Sequence, residues 1–581
     1  MITTCSSVEP GTPSGATALP FAYPENLPAL AAVGHWAEIV EPASKAPWEA
    51  VLLIYLKNRR WFGAKAREIK SLAIQDVIEL PAETGKALIT LLNVDYVEGV
   101  PELYLLPLAW AGACQAEAIE RTVPHLAIAR LQIVGQNQSG ILYDAIGSHG
   151  FCRGLLELIS YHRNVRGRTG ELVASNTPAL PKLLSGAPAS LDVSLGKSEQ
   201  SNSAVIYANR LMLKLFRRLE AGVNPDLEIS RFLTNKNFPH IAPLAGVLEY
   251  RTDRDETITL AVLNEFIHGT KDGWEYTLDA LGRYYVRVLS LQPSLSNPPR
   301  IEDSILSLAA RELPQHVTEI LGTYLESARL LGQRTAELHT VLASESENKE
   351  LVPEPFTAHY QRSLYRSMRN HAQQNLQLLR RRLQDLPESA SQTAQKVLAS
   401  EDQILKRLRR VCEQPISTLR IRCHGDFHLG QVLSTGKDFV IIDFEGEPAR
   451  SLAERRLKRS PLRDVAGMLR SFHYAAHAGL LRQIQRGSVS SAKLDTFQGW
   501  ARFWQLWVSV GFLKAYLTAA DNAPFLPKSA LELKALLNAF LVEKALYELG
   551  YELNHRPDWV NIPLQGILQL LEPETRLIVS Q

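Results

Sequence analysis

His424-Gly425-Asp426-Phe427-His428-Leu429-Gly430-Gln431, followed by the apolar run Phe439 to Ile442 and then Asp443-Phe444-Glu445, is the stretch that decides the fold. It sets one carboxylate in a loop, an amide five positions later, and a second carboxylate at the exit of a buried strand. Phosphoryl transfer needs that set: a base for an acceptor hydroxyl and hard oxygen ligands for Mg2+. Asp426 is thereby the candidate base, and Gln431 and Asp443 are the candidate metal ligands.

Protein kinases use the same offset in H-R-D-x-x-x-x-N, and the Asp of their D-F-G holds the metal. Here the amide is a glutamine, one methylene longer, so the loop or the metal must sit slightly differently. Glu445 stands where a protein kinase has glycine and can face metal or substrate. His424 reads as a brace for the loop rather than a base, and a histidine metal site lacks a third ligand at suitable spacing. No Ala-Pro-Glu signature follows Asp443. Gly446-Glu447-Pro448 and a basic stretch from Arg455 to Arg463 come instead, which favours a small-molecule acceptor over a protein.

At 581 residues the chain exceeds one core, so about three or four domains or subdomains are expected. Apolar residues at 45% with 21% charged describe an ordinary globular protein, and a net charge of +2 argues for neither nucleic acid nor an anionic membrane. Five scattered cysteines fit a reducing cytosol without a disulfide framework. Cys423, beside the loop, reads as a small buried residue. No secretory signal or membrane span is recognisable, so the expected location is cytoplasmic.

Residues 1–34 are rich in Pro, Gly, Ser and Ala and read as a flexible segment. A compact block over 35–95 contains Arg59-Arg60-Trp61-Phe62-Gly63-Ala64-Lys65-Ala66-Arg67 and two alternating strand-like runs. Residues 96–265 are strand-rich, and 266–581 are dominated by amphipathic helical stretches. Strands first and helices second imply an α+β, two-lobed, protein-kinase-like fold with an extra subdomain in front and a mainly helical C-lobe.

Such a fold needs a nucleotide lysine paired with a helical glutamate. Lys214 lies in the alternating run Leu211 to Phe216, and Asn224-Pro225-Asp226 then opens a helix whose first turn holds Glu228. There is no G-x-G-x-x-G before Lys214. Gly196 to Ser203 takes that place, where Gln200, Ser201, Asn202 and Ser203 can cradle phosphate oxygens of ATP through small side chains and backbone N–H groups.

HGDFHLGQVL and FVIIDFEGEPARSLAERRLKRSPLRDVAGMLRSFHYAA (439–476) resemble the signature of bacterial maltokinases. Residues 61–67, the stretches 200–202 and 216–220, and EKALYELGYELNHRPDWVNIPLQGIL (543–568) agree with it. The resemblance implies a cap subdomain at the N-terminus and transfer of the ATP γ-phosphate to the anomeric hydroxyl of maltose, giving maltose 1-phosphate for α-glucan synthesis. It also implies a trehalose synthase as partner, since some members are fused behind one. By position it makes Asp426 the catalytic residue, Gln431 and Asp443 the metal ligands, and Lys214 the nucleotide lysine.

Lys544, Tyr547, Glu548 and Tyr551 recur at three- and four-residue spacing, so they share one helix face, with Asn554 and Arg556 after them. Aromatic rings stacking on pyranose faces beside charged groups for hydroxyls would make a sugar site, with His428 and Glu445 as further candidate substrate-binding residues. Gly550 and His555 depart from the arginine and asparagine of the family. Two rival functions use the same residues: a kinase of amino sugars or aminoglycosides, needing an acidic pocket for an ammonium group, and an inactive nucleotide-binding pseudokinase. The presence of Lys214, Asp426 and Asp443 speaks against the second.

Overall fold

Alternating apolar runs through the first half of the chain fold as strands, and the long amphipathic stretches after them fold as helices. The computed structural model describes residues 27–41, 45–82, 85–184, 191–196, 201–290, 298–299, 301, 303–489 and 494–572. It divides into two units, Met1–Gly222 with Ala245–Asn264, and Val223–Leu244 with Glu265–Gln581.

The strands of the first unit are, in chain order, β1 (Ala29–Ala32), β2 (Ile69–Ala82), β3 (Gly85–Tyr96), β4 (Glu102–Gly112), β5 (Ala127–Ile133), β6 (Gln138–Asp144), β7 (Val165–Arg166), β8 (Gly170–Asn176), β9 (Val193–Leu195), β10 (Asn202–Tyr207), β11 (Leu211–Phe216), β12 (Arg218–Leu219), β13 (Leu244–Thr252) and β14 (Thr257–Glu265). One sheet has the order β1-β5-β6-β4-β3-β2, with β12 paired to β4; the other runs β7-β8-β13-β14-β11-β10-β9. The boundary expected at 95/96 falls at the last residue of β3, which pairs with β4 in one sheet.

Helix α1 (Lys45–Lys57) covers the first sheet, and Trp48, Leu52, Trp61 and Phe62 pack in its core. The Arg59–Arg67 block is therefore packing: Trp61 and Phe62 are buried, and the Arg217 guanidinium lies 5.0 Å from the Trp61 ring. Arg217 and Asp144 form a buried ion pair at 2.7 Å.

In the second unit, α2 (Pro225–Asn235) starts as its sequence predicts, with the Asn224 side chain accepting from the Asp226 N–H and proline at the first helical position. The later helices include α3 (Gly273–Ser290), α4 (Tyr324–Leu342), α5 (Ala358–Arg382), α6 (Leu462–Gln485), α7 (Leu494–Ala519), α8 (Ala530–His555) and α9 (Asn561–Leu571). Helix α6 packs on α3, α7 and α8, and α8 packs also on α5 and α9. A small sheet joins β15 (Lys271–Asp272) to the hairpin β16 (Val432–Ser434) and β17 (Phe439–Ile441). Among the described residues no helix is long and apolar enough to cross a membrane.

Candidate active site

The loop 424–431 enters the hairpin, whose register pairs Val432 with Ile441. That register sets Gln431 opposite Ile442, whose N–H donates to the Gln431 carbonyl at 3.1 Å. Gln431 and Asp443 are therefore brought to the same end of the hairpin. Asp443 adopts a left-handed backbone, φ +66°, a conformation that costs a non-glycine residue about 1–2 kcal/mol. Its neighbour Phe444 donates its N–H to Asp226 Oδ1 at 3.1 Å, tying the turn to the first turn of α2.

The loop hangs from a buried carboxylate that the sequence did not single out. Asp464, in the first turn of α6, accepts the N–H groups of His424 at 2.7 Å and Gly425 at 3.0 Å. It also lies 3.1 Å from His339 Nε2 of α4, whose Nδ1 is 3.0 Å from the Tyr516 hydroxyl of α7. Burial alone would raise the Asp464 carboxyl's pKa, but the hydrogen bond and charge of His339 hold it below the usual range. Close approach is required beside it: a Cβ on Gly467 would sit 2.5 Å from the Phe427 carbonyl oxygen. His424 does brace the loop, its Nε2 lying 3.0 Å from the Ile442 carbonyl oxygen between the rings of Phe427 and Phe444. Cys423 is buried, with its Sγ 3.6 Å from the carbonyls of Ile421 and Arg459.

Asp426 opens onto a cleft of about 530 Å³. Lys544 Nζ lies 3.0 Å from Asp426 Oδ1, and His428 Nε2 lies 3.9 Å from Oδ2. The Gly430 N–H donates to His428 Nδ1 at 3.0 Å, which leaves the ring proton on Nε2. Tyr547, Glu548, Tyr551 and Arg556 line the cleft along α8, so the helical spacing read from the sequence does build one wall. Other lining residues were missed: Asp272 of β15, Trp274 at the start of α3, Tyr474 of α6, Glu552 of α8, and Trp559. Asp272 arrives because β15 pairs it with Leu433, and Gly273 lets the chain pass so closely that a Cβ would meet the Leu429 carbonyl oxygen at 2.7 Å. Tyr474, four residues after Arg470 within the quoted 439–476 stretch, and Trp559 within 543–568 were the available signals.

Two expected substrate residues do not line the cleft. Asn554 is exposed near the end of α8 and is not among the residues lining the cleft, and Glu445 is engaged by Arg455, 3.5 Å from its Oε1. His555 stacks on Tyr551 with ring centroids 4.5 Å apart, and Gly550 makes room for α5, where a Cβ would meet Asn375 Oδ1 at 1.9 Å.

The cleft carboxylates are largely compensated. Arg470 donates to Glu548 Oε2 at 2.9 and 2.6 Å, and Arg556 donates to Glu552 at 2.9 and 2.7 Å. Behind Asp426, Lys544 also lies 3.4 Å from Glu447, itself paired with Arg450 and Arg463. Burial would depress the Lys544 ammonium's pKa, yet Asp426 and Glu447 outweigh it and hold that pKa above the usual lysine range.

On the nucleotide side the expectations fare unevenly. The Glu228 carboxylate, expected to hold a lysine, is bracketed by Arg422 at 2.5 Å and Arg456 at 2.8 Å within its own unit. Lys214 sits on β11 opposite Ala204, with Nζ 5.2 Å from the Phe216 ring centroid. Ser203 Oγ accepts from Arg217 at 2.8 Å, and Asn202 Nδ2 lies 3.4 Å from Ser201 Oγ. Gln200 lies outside the described residues.

Residues 55–147 match the maltokinase N-terminal cap domain, and residues 193–503, more than half of the chain, match the phosphotransferase enzyme family. A glucosamine kinase of Mycolicibacterium smegmatis is 25% identical over 386 residues, covering 65% of this chain and 79% of that protein. One from Streptacidiphilus jiangxiensis is 23% identical over 376 residues, covering 64% and 72%. A solved glucosamine kinase in complex with glucosamine, ADP and inorganic phosphate superimposes with a TM-score of 0.57 at 18% identity, over 93% of this chain and 100% of that one. Identity that low speaks for the shared fold alone. With a maltokinase-type cap before a kinase-like α+β body and a helical C-terminal part, the chain belongs to the phosphotransferase enzyme family.

Proposed function

We propose that the protein is an ATP-dependent sugar kinase that phosphorylates the anomeric hydroxyl of maltose. The observation that carries this reading is the shape and charge of the cleft at Asp426. Its wall runs along α8 from Lys544 to the helix end at His555, a rise of about 16 Å at 1.5 Å per residue, with Arg556 just beyond it, long enough for two pyranose rings end to end. Tyr547, Tyr551, Trp274 and Trp559 supply ring faces, and the arginine-paired Glu548 and Glu552 suit neutral hydroxyls better than an ammonium group.

In this reading Asp426 orients the acceptor hydroxyl through Oδ2 and takes its proton as the phosphoryl group leaves ATP. Lys544 on Oδ1 fixes the carboxylate's direction. Gln431 and Asp443 offer an amide and a carboxylate oxygen, a donor set that fits Mg2+ completed by waters and phosphate oxygens. The metal, when bound, offsets charge on the transferred group. Lys214, with the Ser201–Ser203 backbone, is assigned to the nucleotide phosphates. Asp226 rather than Glu228 is assigned to secure the Asp443 turn, since it is the acid that touches it.

A second reading, an amino sugar as acceptor, is favoured by the glucosamine kinase relatives and by Asp272. Among the described residues Asp272 is the cleft carboxylate without an ion pair. Phosphorus NMR of protein, Mg-ATP and maltose, glucose, glucosamine or trehalose decides. An anomeric phosphate on maltose, lost in Asp426→Ala, supports the first; transfer to glucosamine alone replaces it with the second.

A further inference from the structure

Beside Asp426 lies a second, smaller chamber of about 10 Å³, room for about one water, lined in part by the charged residues Glu447, Arg450, Arg463, Glu543 and Lys544. Glu447 is 3% exposed. Its Oε2 is held by Arg450 and by Arg463 at 3.0 Å, while its Oε1 faces Lys544 at 3.4 Å. Lys544 in turn reaches Asp426 Oδ1 at 3.0 Å. Each carboxylate thus commits one oxygen to Lys544, and Glu447 is pinned so that it cannot turn away.

We propose that Glu447 is a positioning residue for phosphoryl transfer: clamped by two arginines, it holds Lys544 from behind on Asp426 Oδ1, leaving Oδ2 to the acceptor hydroxyl. The proposal rests on Asp426 being the base. A purely structural ion cluster would need neither the chain of single-oxygen contacts nor its end at the cleft. Without the Glu447 charge, Lys544 loses its rear partner and shares the chamber with two guanidiniums whose counter-charge is reduced to Glu543, 4.0 Å from Arg450, and Asp464, so Asp426 loses its fixed direction. Misplacing a reacting group by about 1 Å can cost about 100-fold in rate.

The test is a double-mutant cycle of Glu447→Gln and Lys544→Met, with kcat and both KM values measured for the acceptor that wild type phosphorylates. Glu447→Gln is expected to lower kcat about 100-fold with KM changed less than about threefold. The double variant is expected to lose no more than Lys544→Met alone. Additive losses, or a loss confined to KM, overturn the proposal. Crystals of Glu447→Gln give a readout independent of turnover: Lys544 is expected to have left Asp426 Oδ1, and an unmoved Lys544 also overturns it. If Glu447→Gln does not fold, Arg450→Gln, which removes one clamp, is expected to show the same kcat-only effect at about tenfold, and its absence counts against the proposal. A wild type inert toward every sugar sinks the functional reading, while the crystallographic distance still decides this one.

Discussion

The Asp226 carboxylate, two residues before Glu228, accepts the Phe444 N–H at 3.1 Å and so fastens the turn carrying Asp443 to the start of α2. Asp226 is 2% exposed, and the left-handed Asp443 beside Phe444 needs that support to persist.

Removing the carboxylate leaves a buried N–H unpaired, which costs about 1–3 kcal/mol. Asp226→Ala is therefore expected to lose stability by about that amount in urea unfolding, and to lose turnover more steeply than stability. Asp226→Asn, which retains an acceptor oxygen, should recover much of both. Equal activity in the alanine variant would show that the turn holds itself.

Gly467→Ala tests the approach of α6 to the loop 424–431. A methyl group 2.5 Å from the Phe427 carbonyl oxygen forces the loop outward, at about 1–3 kcal/mol of overpacking. Turnover should fall about tenfold or more, since Asp426 moves with the loop. Kinetics and melting measured on the same preparation separate the two effects.

Tyr551, 43% exposed at the far part of the cleft, should matter only to an acceptor that reaches it. Tyr551→Ala is expected to raise KM for maltose about three- to tenfold, the worth of one stacked ring, and to leave glucose kinetics unchanged. A matched loss on both sugars would place the second ring elsewhere.

Asp464 predicts the acid limb of stability. Its pKa is lowered in the folded protein, so its contribution is complete above the unfolded aspartate value, about 3.9, and is lost as pH falls through the folded value. Wild-type unfolding midpoints should therefore drop below about pH 4. Asp464→Asn should be less stable at neutral pH and flatter across that window.

The grouping of Asp426, Gln431 and Asp443 in one short stretch was legible in the sequence because it is local. A loop and the hairpin after it bring Gln431 and Asp443 together within one short segment, and the α8 face follows from helical spacing alone. The partner of α2 was not legible. Asp226 and Glu228 share its first turn, and only the packing of the second unit decides that Asp226 meets the Asp443 turn while Glu228 meets Arg422 and Arg456. Asp272 and Trp274 carry no pattern of their own. They reach the cleft through a two-residue strand, more than 150 positions before the loop they face. Asp464 is a first-turn acid of α6, and nothing in its sequence neighbours reveals that a loop 40 positions upstream needs its oxygens.

The hold that Asp464 has on His424 and Gly425 runs on through His339 to Tyr516, so three helices share it. Amide protons at 424 and 425 should then exchange with deuterium only when the helical interior opens as a whole. Warming the protein would extinguish turnover and cooperative structure at one and the same temperature, with no inactive but still folded form in between.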